Sequence, residues 1–466
     1  MGFFAKLAAH ATNKMAHPAI ISERLSLTYG ELFDCVKKTA LNLDAAGFGP
    51  SEVVGICIED EVDHVIISLA LLATGASIIT LPGHDAPQLR TSLAHRVSVT
   101  RIIESSDAHN FLDYRCGASP SPAFPPRGQV AVDSVLYFRT SGTTGDVNVV
   151  PFSEAQVAAQ ADRHREYAGE RLLRLASIEH NNSKRHRLYC VWQGGTNVFK
   201  PRGKFDLVQF VLQHRVSCLD ISSMHASDLT ALNKVGKLSG LKIRTGGSAV
   251  PYAVRRAIQE KVTTNLYVRY AATECGAISM AGPGDHDEAG AVGIPLDGVE
   301  LQIVNDQGSR LPLGERGEIR IRAEGVASTY LNSPSDTSKR FRDGWFYPGD
   351  LGHIHAGGQL VLDGRTDDMI ILNGLNIFPA EIERVLETHP DVDCVAALGL
   401  PSQVHGQIPV AAVILKAGVS VTTVELRCFA RASLGLRAPR RIIVLDSFPR
   451  NSQGKVLKRE LLKLFQ

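Results

Sequence analysis

No Cys-x-x-Cys pair occurs among the eight cysteines of this 466-residue chain, at positions 35, 57, 116, 190, 218, 275, 394 and 428. Their scatter argues against a disulfide framework or a zinc site and fits a reducing cytoplasm. An excess of one charge is also lacking. The formal net charge is +2, which provides no global field for nucleic acid or another polyanion. Long hydrophobic runs are missing too. The most apolar stretch, residues 65–81, contains Gly75 and is followed by Pro82. It reads as a buried helix turning into a buried strand, not as a membrane span. Met1-Gly2-Phe3-Phe4 has no signal-peptide layout, and Lys6 stands where a myristoylation signal has Ser or Thr. Neither an internal repeat nor a low-complexity tract is present.

What is there has the balance of a globular protein, 44% hydrophobic and 21% charged residues. The length exceeds a usual single core of up to about 250–300 residues, so at least two domains are expected. Residues 427–466 carry ten Lys and Arg against Asp446 and Glu460, a local field suited to phosphates or to a solvated basic helix. Helical spacing over 29–43 and 65–74 alternates with strand-like runs at 53–58 and 77–81. That alternation predicts right-handed parallel crossovers in a layered α/β fold. The segment 117–127, richer in Pro and Ser, reads as a loop, and short β-like segments at 299–304 and 317–321 suggest a small β-barrel or sheet. A boundary is expected at 366/367, followed by a helix over 381–387 after Pro379 and a strand over 410–415. The remaining hundred residues, roughly, suffice for a small α+β domain.

The most informative segment is Thr140-Ser141-Gly142-Thr143-Thr144-Gly145, after the strand-like run 132–138. Its glycines free the backbone to turn successive N–H groups into one concavity, and the hydroxyls add donors, which suits a polyphosphate. It is not a Walker A loop, because no Gly-Lys-Ser/Thr follows. Downstream stand Tyr270-Ala271-Ala272-Thr273-Glu274, Gly344-Trp345-Phe346-Tyr347-Pro348-Gly349-Asp350, Gly364-Arg365-Thr366-Asp367-Asp368 and Asn451-Ser452-Gln453-Gly454-Lys455. In this order they resemble the core motifs of the adenylate-forming superfamily of acyl-CoA synthetases, adenylation domains and luciferases. The resemblance runs from Leu27-Thr28-Tyr29-Gly30 to Lys455.

That resemblance implies ATP and Mg²⁺ as cofactors and an acid–thiol ligase reaction. Thr140 to Gly145 would cradle phosphates, Glu274 would bind Mg²⁺ with phosphate oxygens, and Thr273 would donate to the α-phosphate or the substrate carboxylate. Tyr270 and Ala271 would meet adenine beside the Gly247-Ser248-Ala249 turn. Asp350 would accept both ribose hydroxyls, with Arg365 as a second contact. Lys455 would bring positive charge to the first half-reaction from a C-terminal domain swivelling about Asp367. His180 matches a position that shapes the acyl pocket. The implied reaction joins a small carboxylic acid to AMP and then to the thiol of CoA. A pantetheine on a separate acyl carrier protein is the alternative acceptor, and a member performing only the thioester step is a third reading.

Two departures stand out. Val147-Asn148 replace the Pro-Lys that most relatives carry, so adenylation would be slow, compensated by another cation, or absent. After His180, Ser183 replaces a glycine and Lys184-Arg185-His186-Arg187 is unusually basic. Either a polar or acidic acyl group meets these side chains, or they form a solvated helix.

Overall fold

The computed structural model describes residues 1–114, 134–140, 148–230, 232, 238–285, 290–373, 375–450 and 456–465. The expected loop at 117–127, Ser141 to Gly145 and Lys455 all lie outside these residues.

Four sheets organise the described residues. The first places Arg101–Glu104, Val53–Cys57, Ser77–Thr80, Val135–Arg139 (β1) and Val149–Ser153 (β2) side by side. Its first four strands are parallel, and β2 returns antiparallel to β1. The helix expected over 65–74 begins earlier, as Glu61–Thr74 (α1). Asp60 sets its start by accepting the N–H groups of Val62 and Asp63, and Gly75, at φ +84°, ends it in the left-handed conformation. The helix expected over 29–43 runs Tyr29–Ala45, opened by a reciprocal Thr28–Glu31 capping box.

The second sheet has nine strands. In spatial order they are Ser26–Thr28, Pro18–Ile21, Thr196–Val198, Arg171–Arg174, Cys218–Ser222, Lys242–Gly246 (β3), Leu266–Ala272 (β4), Gly276–Ala281 and Ile294–Pro295. Its central strands are parallel, and helix Asn181–Gln193 (α2) crosses between two of them. An apolar core gathers Phe3, Tyr29, Ile66, Leu136, Phe152, Leu172 and Leu188, so the first two sheets share it through their covering helices.

The β-like texture expected near 299–321 is a six-stranded antiparallel sheet that includes Val299–Val304, Gly317–Ala323, Asp350–Ile354 (β5) and Leu360–Arg365 (β6). A fourth sheet then uses Ile370–Leu372, Leu375–Ile377, Val392–Ser402, Gly406–Leu415 and Arg441–Val444. The helix expected over 381–387 is Pro379–Glu387 (α3), with proline in its first turn. Its apolar side meets Ile370, Val395 and Leu426 in a separate cluster. Among the described residues every cysteine is a free thiol, and no helix is long and apolar enough to cross a membrane.

Candidate active site

One cavity of about 560 Å³ gathers most of the predicted residues that can be placed. Thr140, Asn148, His180, Gly247, Ser248, Ala271, Thr273, Glu274, Asp350, Arg365 and Asp367 line it. The strand ends explain this convergence. The β1–β2 hairpin carries Thr140 and Asn148, and the Thr140 N–H donates to the Asn148 carbonyl at 2.7 Å, closing the stem of the expected phosphate loop. The turn after β3 supplies Gly247, at φ +89°, and Ser248, whose hydroxyl bonds that of Ser223 at 2.6 Å. Ala249 is exposed and is not among the lining residues. The end of β4 supplies Ala271, Thr273 and Glu274, and the third sheet brings Asp350 and Arg365 from β5 and β6.

Tyr270 stands apart from its neighbours. Arg269, Ala271 and Ala272 line the cavity while Tyr270 does not. Its ring belongs to an apolar cluster with Ile278, Val292 and Ile319. Its hydroxyl donates to Asp350 Oδ2, and burial followed by the nearby Asp350 charge pushes the phenol pKa well up. Arg365 donates to the other Asp350 oxygen at 3.2 Å. The ribose-binding candidate is therefore oriented from two sides. Arg365 also meets Asp367 at 3.2 Å, and Arg340 meets the same carboxylate at 2.8 Å. The expected hinge residue sits in a chain of ion pairs at the cavity mouth.

Glu274 is 9% exposed. Its Oε1 accepts the Tyr330 hydroxyl at 2.6 Å. Among the described residues no group of three His, Cys, Asp or Glu side chains is arranged to hold a metal ion. A single carboxylate suits Mg²⁺, which keeps water and substrate phosphate oxygens as its other ligands.

The basic run after His180 is not a solvated helix face. Lys184, Arg185, His186 and Arg187 are at most 4% exposed. Lys184 Nζ donates to Thr80 Oγ1 at 3.1 Å, and its burial lowers its pKa to about 7. Arg187 donates to the Val198 carbonyl at 2.9 Å and pairs with Glu61 of α1 at 3.2 Å. Neither lines the cavity, whereas Arg185 and His186 do, with Asn182 and Tyr189 one turn either side. His186 Nδ1 and the Tyr167 hydroxyl are 2.8 Å apart, and burial holds this imidazole far below its usual pKa. The His180 ring packs 5.4 Å from that of His84. Desolvation, then His84, lowers the His180 pKa.

Two further lining residues, Arg174 and Arg269, and Asp336 beside the lining residue Asn148 were not singled out from the sequence. Arg174 and Arg269 share the buried carboxylate of Asp220. Asp336 accepts the Asn148 amide at 3.0 Å, and this bond, with a second from Ser333, holds its carboxyl below the usual range. Arg269 had a legible signal, since it precedes Tyr270 in an apolar strand. Arg174 and Asp336 had none.

The family description "AMP-binding enzyme" matches residues 7–331, and "AMP-binding enzyme C-terminal domain" matches residues 381–455. The chain belongs to the AMP-binding enzyme family. It is 26% identical over 495 residues to an oxalate–CoA ligase of Arabidopsis thaliana, covering 96% of this chain and 95% of that protein. A 2-succinylbenzoate–CoA ligase of Geobacillus kaustophilus is 36% identical over 222 residues, 47% of this chain and 45% of that protein. An amide bond synthetase from Marinactinospora thermotolerans superposes with a TM-score of 0.86 over the whole of both chains, at 23% identity, a likeness of fold. Similarity to CoA ligases of the adenylate-forming superfamily thus agrees with the motif order, and the enzyme is an adenylate-forming ligase.

Proposed function

We propose that this enzyme is an acid–CoA ligase. A carboxylate oxygen attacks the α-phosphorus of ATP, the bond to the pyrophosphate oxygen breaks, and acyl-AMP forms. The CoA thiol then adds to the acyl carbon, its proton is lost, and AMP leaves. The observation that supports this best is the convergence of the Thr140–Asn148 hairpin, Thr273-Glu274 and the Asp350–Arg365 pair on one cavity.

In this reading Asp350 accepts the ribose hydroxyls, kept in place by Tyr270 and Arg365. Thr273 and the Thr140 end of the hairpin donate to phosphate oxygens, and Tyr330 steadies the Glu274 carboxylate. Mg²⁺ bound at Glu274 would neutralise phosphate charge. Lys455 delivers an ammonium to the charge that develops in the first step, and Asp367 is the hinge that lets it withdraw. CoA as acceptor is supported by the CoA ligases to which the chain is similar.

The test is product analysis. Incubation with ATP, Mg²⁺, a panel of acids and CoA is expected to give AMP and an acyl-CoA detectable by mass spectrometry. Acid-dependent AMP release that never yields acyl-CoA would reassign the acceptor to a carrier-protein pantetheine or another nucleophile.

A further inference from the structure

The two ends of the cavity differ in charge and burial. At the mouth, Asp350, Arg365 and Asp367 have side chains 14%, 38% and 52% exposed, and each is in an ion pair. At the deep end lie Arg174 at the end of a central strand, Arg185 of α2 and Arg269 within β4, only 2%, 4% and 3% exposed. Asp350 is at the mouth, whereas Arg185 touches the rings of Phe138 and Phe152 in the hairpin strands and the Thr273 carbonyl. For a plain hydrocarbon acyl chain apolar side chains would be the expected lining, and these three arginines are cationic.

Arg174 and Arg269 divide one carboxylate, Asp220, between them. Arg185 has no ion-pair partner among the described residues. Its Nη1 donates to the Thr273 carbonyl at 2.7 Å, while Nε and Nη2 are buried without hydrogen-bond partners. The guanidinium lies 4.1 Å from the Phe138 ring centroid and 4.6 Å from that of Phe152. Cation–π contacts offset part of the desolvation of a buried charge, but do not satisfy its N–H groups. Three guanidinium groups against the carboxylates of Asp220 and Glu274 leave positive charge in excess at the cavity, with Nε and Nη2 of Arg185 unmatched.

We propose that Arg185, supported by Arg174 and Arg269, is an anion-recognition subsite for the acyl group, and that the enzyme activates acids bearing a second carboxylate. This rests on reading the cavity as an acid-activating site. The guanidinium of Arg185 has buried N–H donors without a partner, which a carboxylate admitted beside it would satisfy. The Thr273 carbonyl fixes its orientation, so the second carboxylate is bound one residue from Thr273-Glu274, which limits the acid to a short one.

The experiment compares acid-dependent ATP–pyrophosphate exchange for malonate, succinate and glutarate, their monomethyl esters and the unsubstituted acids of matching length. Wild type, Arg185→Lys and Arg185→Met are assayed, with calorimetric titration of the same diacids. The wild type is expected to prefer one of the diacids over its monomethyl ester by about ten- to a hundredfold in kcat/KM, the range for a charge-assisted contact. Arg185→Met is expected to collapse that ratio and Arg185→Lys to keep part of it. A merely structural role would lower both rates together and leave the ratio unmoved. Preference for the unsubstituted acids, or a ratio insensitive to Arg185→Met, overturns the subsite. Should Arg185→Met not fold, the wild-type preference and Arg185→Lys still decide. If no acid supports exchange, the ligase reading fails by itself. Diacid binding lost in the Arg185 variants would then sustain the subsite, and absence of diacid binding to the wild type would end it.

Discussion

The Asn148 amide donates to Asp336 Oδ2 at 3.0 Å, so the position where most relatives carry lysine is already engaged with an acid. A lysine introduced there meets that carboxylate before it meets a phosphate. Asn148→Lys alone is expected to change the pyrophosphate-exchange rate by less than about threefold. Asn148→Lys combined with Asp336→Asn is expected to gain about tenfold or more, since one charge-stabilising donor is worth a few kcal/mol. A single substitution that already gives the full gain, or a double one no faster than wild type, would show that Asp336 does not hold the ammonium.

Asp350 is oriented by Tyr270 and Arg365 together. Removing the Tyr270 hydroxyl loses one hydrogen bond to a charged group, and removing the carboxylate loses the ribose contact outright. Tyr270→Phe is expected to raise KM for ATP about three- to tenfold, and Asp350→Ala by more than about tenfold, with KM for the acid little moved. An unchanged KM for ATP in Asp350→Ala would take this residue out of nucleotide binding.

Lys184 makes a pH-dependent prediction. Burial lowers its folded pKa to about 7, against ~10.4 in an unfolded chain. Between these values the unfolded chain holds the extra proton, so this group's contribution to stability rises with pH. At and below pH 7 its unfavourable contribution is complete. Lys184→Met is therefore expected to raise the melting temperature at pH 7 by at least about 1 °C, the shift for about 1 kcal/mol in a chain of this length. The gap from wild type should close toward pH 10. A gap constant with pH, or a variant less stable throughout, would contradict the assignment.

The order of the motifs made the family legible, and strand–helix alternation made the layered α/β fold legible. Helix starts were read late where the cap, as at Asp60, precedes the apolar run. The burial of α2 was not legible. Its basic side chains bond Thr80, Glu61 and the Thr273 carbonyl, all remote in sequence, and Nε and Nη2 of Arg185 stay unpaired. The Tyr270 hydroxyl bond to Asp350, 80 residues away, was not legible either.

If Lys455 acts on charge that develops only during activation, Lys455→Ala should lower acyl-AMP formation by at least about a hundredfold. Thioester formation from supplied acyl-AMP should change by less than about threefold. Equal losses in the two half-reactions, measured separately in single-turnover experiments, would remove Lys455 from this role.

Acid-dependent ATP–pyrophosphate exchange by the wild-type protein tests the assignment as a complete ligase most directly. Exchange with at least one carboxylic acid is expected, together with acyl-CoA formation when CoA is added. No exchange with any acid, alongside conversion of supplied acyl-AMP and CoA to acyl-CoA, would contradict it and leave an enzyme of the thioester step alone.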